Sequence, residues 1–282
     1  MAGQTLPDFV LKALQKIATD NGFESHEIHQ EEGSKAGDGF TSDVIRVTIS
    51  GQRTPSDEKT SLILVVKVPP TNEDRRKLAL IVFEREVLAY NNVLPAFDKF
   101  QLECGLAPSD IFNSYPKCYF AHFDKETGET AIILEDLRER QFTLGNKFDF
   151  VDLERTRKVC EALGRLHAVS LAMRVKQPET FATFQQLSDI FSEAVPKDLV
   201  QASVSASTPR VLNVLDQPGD EVYREKLIEY EKNCLAILND CTKVENFEPF
   251  GAVAHGDCWI NNVMFRYEVS DSFCTNNSET QS

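Results

Sequence analysis

The sequence predicts an α+β fold, and three observations carry that prediction. An amphipathic helical pattern opens the chain, segments of period-two alternation and short apolar runs recur as far as Leu134, and beyond "EDLRERQF" the pattern turns mainly helical. "TLPDFVLKALQKIATDNG" reads as a helix. Thr5 and Asp8 match a capping box, Pro7 suits the first turn, Phe9, Ala13, Leu14 and Ile17 share a face, and Gly22 takes the C′ role. In "GSKAGDGFTSDVIRVTIS" a flexible start becomes a strand in which Ile45, Val47 and Ile49 alternate with Val44, Arg46 and Thr48. "TSLILVVKVPP" is a second, more apolar strand closed by two prolines.

"TNEDRRKLALIVFEREVLAYNNVLP" predicts a second helix, capped by Thr71 and Asp74, with Leu78, Ile81, Val82 and Leu88/Ala89 at helical spacing and Pro95 as its stop. "KCYFAHFD", the turn "KETGE" and "TAIILEDL" predict a hairpin. "DFVDLERTRKVCEALGRLHAVSLAMRVK" predicts a long helix. Asp149 and Asp152 lie at its start, and Val159, Leu163, Leu166 and Ser170 form its stripe. "DEVYREKLIEYEKNCLAILNDC" predicts another. The last residues, "VSDSFCTNNSETQS", are polar and nearly aperiodic and read as disordered.

The chain's 282 residues suit one large domain or two lobes, with 41% apolar and 26% charged residues, an ordinary globular balance. A net charge of −14 argues against non-specific nucleic-acid binding and against attraction to an anionic membrane, while leaving room for a local phosphate pocket. No apolar run reaches membrane-spanning length, and the N-terminus lacks the pattern of a secretory signal. Seven scattered cysteines without a CxxC pair argue for reduced thiols and a cytoplasmic location rather than a disulfide framework or zinc ribbon. Asn276-Asn277-Ser278 matches a glycosylation acceptor, which such a location would leave unused.

The chemistry concentrates in "GAVAHGDCWINNVMFRYE", Gly251 to Glu268. Asp257 can orient or deprotonate a hydroxyl nucleophile. Asn262, five residues on, can offer its amide oxygen to Mg²⁺. Phosphoryl transfer needs that pairing. The flanks "AVAHGD" and "NVMFRY" read as short strands holding the loop.

"HGDCWINNVMF" resembles the catalytic loop of the aminoglycoside/choline-kinase branch of the protein-kinase-like fold. Through Trp259 and "NNVMF" it is more narrowly similar to the CHK kinase-like, or ecdysteroid kinase-like, family. The resemblance runs from about residue 30 to 268. It implies a bilobal fold: residues 1–134 as a nucleotide-binding N-lobe with an antiparallel sheet, 135–140 as a hinge, 141–268 as a partial helical C-lobe, and 269–282 as a polar tail. Gly37 and Gly39 in "GDGFTSDVIRV" resemble the loop over the nucleotide phosphates, although they also fit a flexible strand start. Lys67 resembles the lysine that pairs with the α/β-phosphates. Glu86 resembles the helix glutamate that holds that lysine, with Glu84 as the competing candidate. "IILEDL", including Glu135 and Leu137, resembles the hinge whose backbone meets the adenine. "ALGRLHA" resembles the helix preceding the catalytic loop. The resemblance implies ATP and Mg²⁺ as cofactors and a small hydroxylated acceptor, steroid-like or otherwise, without fixing an oligomeric state.

The family's Asp-Phe-Gln or Asp-Phe-Gly triplet, whose aspartate binds Mg²⁺, does not follow Tyr267. Asp271 is the one aspartate left and lies in polar surroundings, so it is not taken as the replacement. The family's C-terminal helices are missing too, and the chain reads as C-terminally truncated.

Taken singly, these residues have plainer readings. Lys67 alone is a solvated strand lysine and Glu86 an exposed helix carboxylate; the ordered set with Asp257 and Asn262 outweighs both. His255 reads as a buried residue holding the loop by hydrogen bonds, and His167 as a core histidine. Cys258 as a thiol nucleophile lacks an orienting partner. His255, Asp257 and Cys258 as zinc ligands lie too close in sequence to surround one ion. Two functions therefore stand: a small-molecule kinase, or a non-catalytic protein that binds nucleotide or a partner. A third reading is a fragment with no activity of its own.

Overall fold

The computed structural model describes residues 5–32, 42–54, 57–149, 151–186 and 196–267. Gly37, Gly39, Asp271, the glycosylation match and the polar tail lie outside the described residues.

A five-stranded antiparallel sheet has the order β1-β2-β3-β5-β4. Its strands are β1 (Ser25–Glu32), β2 (Asp43–Gln52), β3 (Thr60–Val68), β4 (Cys118–Phe123) and β5 (Thr130–Glu135). Together with the helices below, this gives the mixed α+β architecture that the sequence predicts. Alternation in β2 and β3 sorts the side chains cleanly. Ile45, Val47, Ile49, Leu64, Val66 and Val68 are buried on one face together with Ala131 and Ile133. Helix α1 (Asp8–Asp20) covers that face with Val10, Ala13, Leu14, Ile17 and Ala18. Its expected capping box does not form. Pro7 itself is the N-cap and makes no side-chain capping bond, which leaves Thr5 outside the helix. Gly22, at φ +82°, occupies the left-handed position that ends the helix.

The opposite face carries Ile132 and Leu134, which pack on helix α2 (Glu73–Leu88) through Ala79, Phe83 and Val87. The expected face of Leu78, Ile81, Val82 and Leu88 is only half-buried. The run "LALIVF" is apolar all round the helix, so spacing alone could not choose a side; Phe83, the largest side chain, takes the sheet. The cap also differs from the expected Thr71 and Asp74: Asn72 Oδ1 accepts from the Arg75 N–H at 3.0 Å. Nor does Pro95 end the run. A π-helical turn over Ala89–Val93 leads into α3 (Leu94–Glu103), whose first turn contains Pro95, where a missing N–H costs nothing.

Strand β1 was not anticipated, because "SHEIHQEE" has one apolar residue, Ile28. Edge strands are commonly charged, which blunts edge-to-edge association.

After β5 the chain makes a 3-10 turn (Leu137–Arg140) and the short strand β6 (Thr143–Leu144). Helix α4 (Leu153–Lys176) follows, capped by Asp152, whose Oδ1 accepts from the Arg155 N–H at 2.7 Å. Leu166, Val169 and Met173 of α4 join Phe97 and Phe100 of α3, Phe112, and Phe181 of α5 (Pro178–Ala182) in a second core. Helices α6 (Lys197–Leu212) and α7 (Glu221–Thr242) pack against each other; α6 was not expected. No helix of the described residues is long and apolar enough to cross a membrane.

Candidate active site

Lys67 lies on β3, one residue out of step with the buried Val66 and Val68, so it projects from the face opposite α1. Its register partners are Val44 on β2 and Ile132 on β5. Lys67 Nζ donates to both oxygens of Glu86 on α2, at 2.5 and 2.7 Å, and each side chain is about one-quarter exposed. Glu84 makes no ion pair among the described residues; two residues from Glu86, it lies on another side of the helix. Glu86 sits in a poorly hydrated neighbourhood. Burial, with the Glu86 charge adding to it, pushes the Tyr90 hydroxyl far above its usual range and the Cys118 thiol up to about 11.

The turn after β5 is tied down separately. Asp136, whose side chain is 2% exposed, accepts from Arg46 Nε at 2.9 Å and from Arg138 Nε and its backbone N–H at 2.8 and 3.0 Å. Burial works against the charged carboxylate, but these hydrogen bonds hold it below its usual range. Glu135 turns toward β4 instead: its Oε1 accepts from the Lys117 N–H at 2.8 Å and its own N–H donates to the Lys117 carbonyl at 2.9 Å. Leu137 opens the turn, half-buried, and its carbonyl accepts from the Phe142 N–H at 3.1 Å.

The loop containing Asp257 is anchored at both ends. Upstream, the buried Ser170 of α4 accepts from the Val253 N–H at 2.7 Å, and Arg174 donates to the carbonyls of Pro249 and Gly251 at 3.3 and 3.0 Å. Arg174 also pairs with Glu248. Downstream, strand β7 (Met264–Phe265) pairs with β6, Thr143 opposite Phe265 and Leu144 opposite Met264. Arg155 Nε reaches the Tyr267 hydroxyl at 2.7 Å. The loop is thus stitched to the stretch that directly follows the β5 turn. "AVAHGD", expected as a strand, has no strand pairing; side chains of α4 hold it instead.

Within the loop, Asn262 lies in a 3-10 turn (Ile260–Asn262). Its Nδ2 donates to Asp257 Oδ2 and to the Asp257 carbonyl, each at 2.9 Å. Gly256, at φ +80°, permits the bend before Asp257. His255 is exposed rather than buried, and its Nδ1 accepts from the Asp257 N–H at 3.3 Å. It still shapes the loop, but from the solvent side, because Val253 rather than His255 faces the α3–α5 core. His167 is half-buried, and Cys258 and Trp259 are exposed.

Oxygen donors suited to a hard cation are Asn262 Oδ1, which receives no hydrogen bond among the described residues, and the Asp257 carboxylate. Among the described residues no three His, Cys, Asp or Glu side chains cluster to hold a metal.

Sequence reasoning missed Arg46, Asp136, Ser170 and Arg174. Only Ser170 left a trace, as a hydroxyl in the middle of an apolar stripe, where a buried polar group needs a partner.

A family model described as "Ecdysteroid kinase-like family" matches residues 36–275. No curated protein and no solved structure matches the chain.

Proposed function

The chain belongs to the ecdysteroid kinase-like family, and on that premise we propose that it is an ATP-dependent kinase moving a phosphoryl group to a hydroxyl of a small molecule, steroid-like or otherwise, in the cytosol. Neither nucleic acid nor a membrane is part of the reading. The observation that carries it is the two-oxygen pairing of Lys67 with Glu86. A glutamate that grips a lysine with both oxygens holds the ammonium in one place, ready for the α/β-phosphates.

The division into a nucleotide-binding lobe, a 135–140 hinge and a helical lobe belongs to the same proposal. In it Glu135 and Leu137 offer backbone groups to the base, and Gly37 and Gly39 cover the phosphates. Asp257 orients the acceptor hydroxyl and takes its proton as the bond from that oxygen to the γ-phosphorus forms, while the bond from the γ-phosphorus to the β,γ-bridging oxygen breaks and ADP leaves with that oxygen. Asn262, steadied on Asp257, presents Oδ1 to magnesium. Bound there with the triphosphate, magnesium supplies neutralisation of the charge on the phosphoryl oxygens.

The test is transfer of label from γ-labelled ATP to a panel of hydroxylated steroids and other small alcohols. Wild type should transfer and Asp257→Asn should lose about a hundredfold or more. A fully active Asp257→Asn enzyme would overturn the role of Asp257.

A second reading is a non-catalytic nucleotide- or partner-binding protein, which the Lys67–Glu86 pair would serve equally well by holding a cation ready for phosphates. Thermal unfolding with ATP, with and without Mg²⁺, separates the two. Ligand at 100 times its dissociation constant adds about 2.7 kcal/mol of stability. That shift without any transfer would favour binding alone.

A further inference from the structure

The network around Arg46 exceeds what the sheet needs. β2 and β3 are already paired continuously from Asp43 opposite Val68 to Gly51 opposite Thr60. Burying a carboxylate to add one more tie is a poor route to stability, since desolvation offsets most of the gain. Yet Arg46 reaches three carboxylates on two other elements: Asp136 at 2.9 Å and Glu139 at 2.8 Å in the turn after β5, and Glu31 of the edge strand at 3.5 Å.

Register shows what these ties connect. Val44 lies opposite Lys67 and Arg46 opposite Val65; across β3, Lys67 lies opposite Ile132 and Val65 opposite Leu134. Arg46 therefore shares the face of Lys67, one pleat along. Asp136 continues the same sheet, its N–H donating to the Ile63 carbonyl at 3.3 Å.

We propose that Arg46 is a positioning residue for the nucleotide: by clamping Asp136 and Glu139 it fixes the turn after β5 at one spacing from Lys67, so that base and phosphates are received together. The role rests on the kinase reading. Its consequence is a split between ligands. A nucleotide spans both ends and needs the spacing; inorganic tripolyphosphate engages only the Lys67 end and does not.

The experiment uses the full chain as wild type, Arg46→Lys and Arg46→Met. It measures magnesium-ATP and magnesium-tripolyphosphate binding by calorimetry and hydrogen exchange of the 136–141 amides. Arg46→Met leaves Asp136 paired with Arg138, so the fold is expected to persist. Expected are faster exchange over 136–141 in Arg46→Met, about tenfold weaker ATP binding, unchanged tripolyphosphate binding, and recovery of most of the loss in Arg46→Lys. Unchanged exchange, unchanged ATP affinity, or an equal loss for both ligands would each overturn the role. A wild type that binds neither ligand would overturn the kinase reading and this role with it, while the exchange rates would still report whether Arg46 restrains the turn.

Discussion

Asn262 spends both side-chain amide hydrogens on Asp257, one on its carboxylate and one on its carbonyl, each at 2.9 Å. Amide planarity then turns Oδ1 away from Asp257. One side chain thus fixes the carboxylate and presents an oxygen elsewhere. Asn262→Asp reverses both effects, placing a second carboxylate against Asp257 and removing the donor. Under the kinase reading, phosphoryl transfer should fall about a hundredfold or more. Because the loop is exposed, the melting temperature should move little. Steady-state kinetics beside a thermal melt checks both, and an active Asn262→Asp enzyme would count against the loop chemistry.

The Lys67–Glu86 pair has a structural and a chemical reading, and a double-mutant cycle separates them. Lys67→Met leaves Glu86 unpaired in a partly desolvated place and should cost about 1–2 kcal/mol, less than for a fully buried pair. Adding Glu86→Gln removes the stranded charge and should restore most of that stability. ATP binding should remain lost in both variants. Denaturant unfolding and calorimetry read the two quantities. Recovery of ATP binding in the double variant would make the pair a mere brace between β3 and α2.

The legible parts of this molecule are those where spacing admits one answer. Ile45, Val47 and Ile49 could face only one way on a strand, and all three are buried against α1. The hairpin of β4 and β5 was announced by its turn, closed by Gly128 at φ +69°. For Lys67 the sequence left Glu84 and Glu86 open, and the geometry selects Glu86. Illegible parts depend on partners distant in the chain. β1 holds its place through β2 rather than through its own composition, α2 turns by Phe83 rather than by its continuous apolar run, and His255 stays exposed because Val253 takes the inward position. The links that hold the candidate loop, Ser170 to Val253 and Arg174 to Gly251, span about 80 residues and follow no local pattern.

Ser170 offers a direct test of that long-range anchoring. Ser170→Ala removes the acceptor for the Val253 N–H at a buried position of α4. The unpaired amide should cost about 1–3 kcal/mol, measured by urea unfolding. Faster hydrogen exchange should be confined to residues 251–258 and the α4 centre. Stability equal to wild type would mean that Val253 finds another acceptor and that α4 does not anchor the loop.

Gly145 tests the other side of the loop. A Cβ built there would lie 2.8 Å from Ile260 Cδ1 and 3.0 Å from its Cγ1. Gly145→Ala must therefore displace Ile260, the first residue of the turn that carries Asn262. Transfer activity should fall, with a small loss of stability, since a side-chain tip can yield. Trimming Ile260 to Val in the same chain removes Cδ1 and should restore activity. Loss that persists in the double variant would trace the requirement for glycine to the backbone rather than to Ile260.

The acid limb of stability should report Asp136. Its folded pKa lies below the ordinary aspartate value of 3.8, held there by Arg138 and Arg46 against the effect of burial. A group with a depressed folded pKa contributes stability fully above its unfolded pKa and loses it as pH falls through the folded one. The stability gap between wild type and Asp136→Asn should therefore be constant from neutral pH down to the ordinary carboxylate range. Below 3.8 it should shrink progressively as the carboxyl is protonated. Urea unfolding of both proteins across the acid range measures the gap directly. A gap that is independent of pH would mean that the shape of the Asp136 side chain, and not its charge, secures the turn after β5.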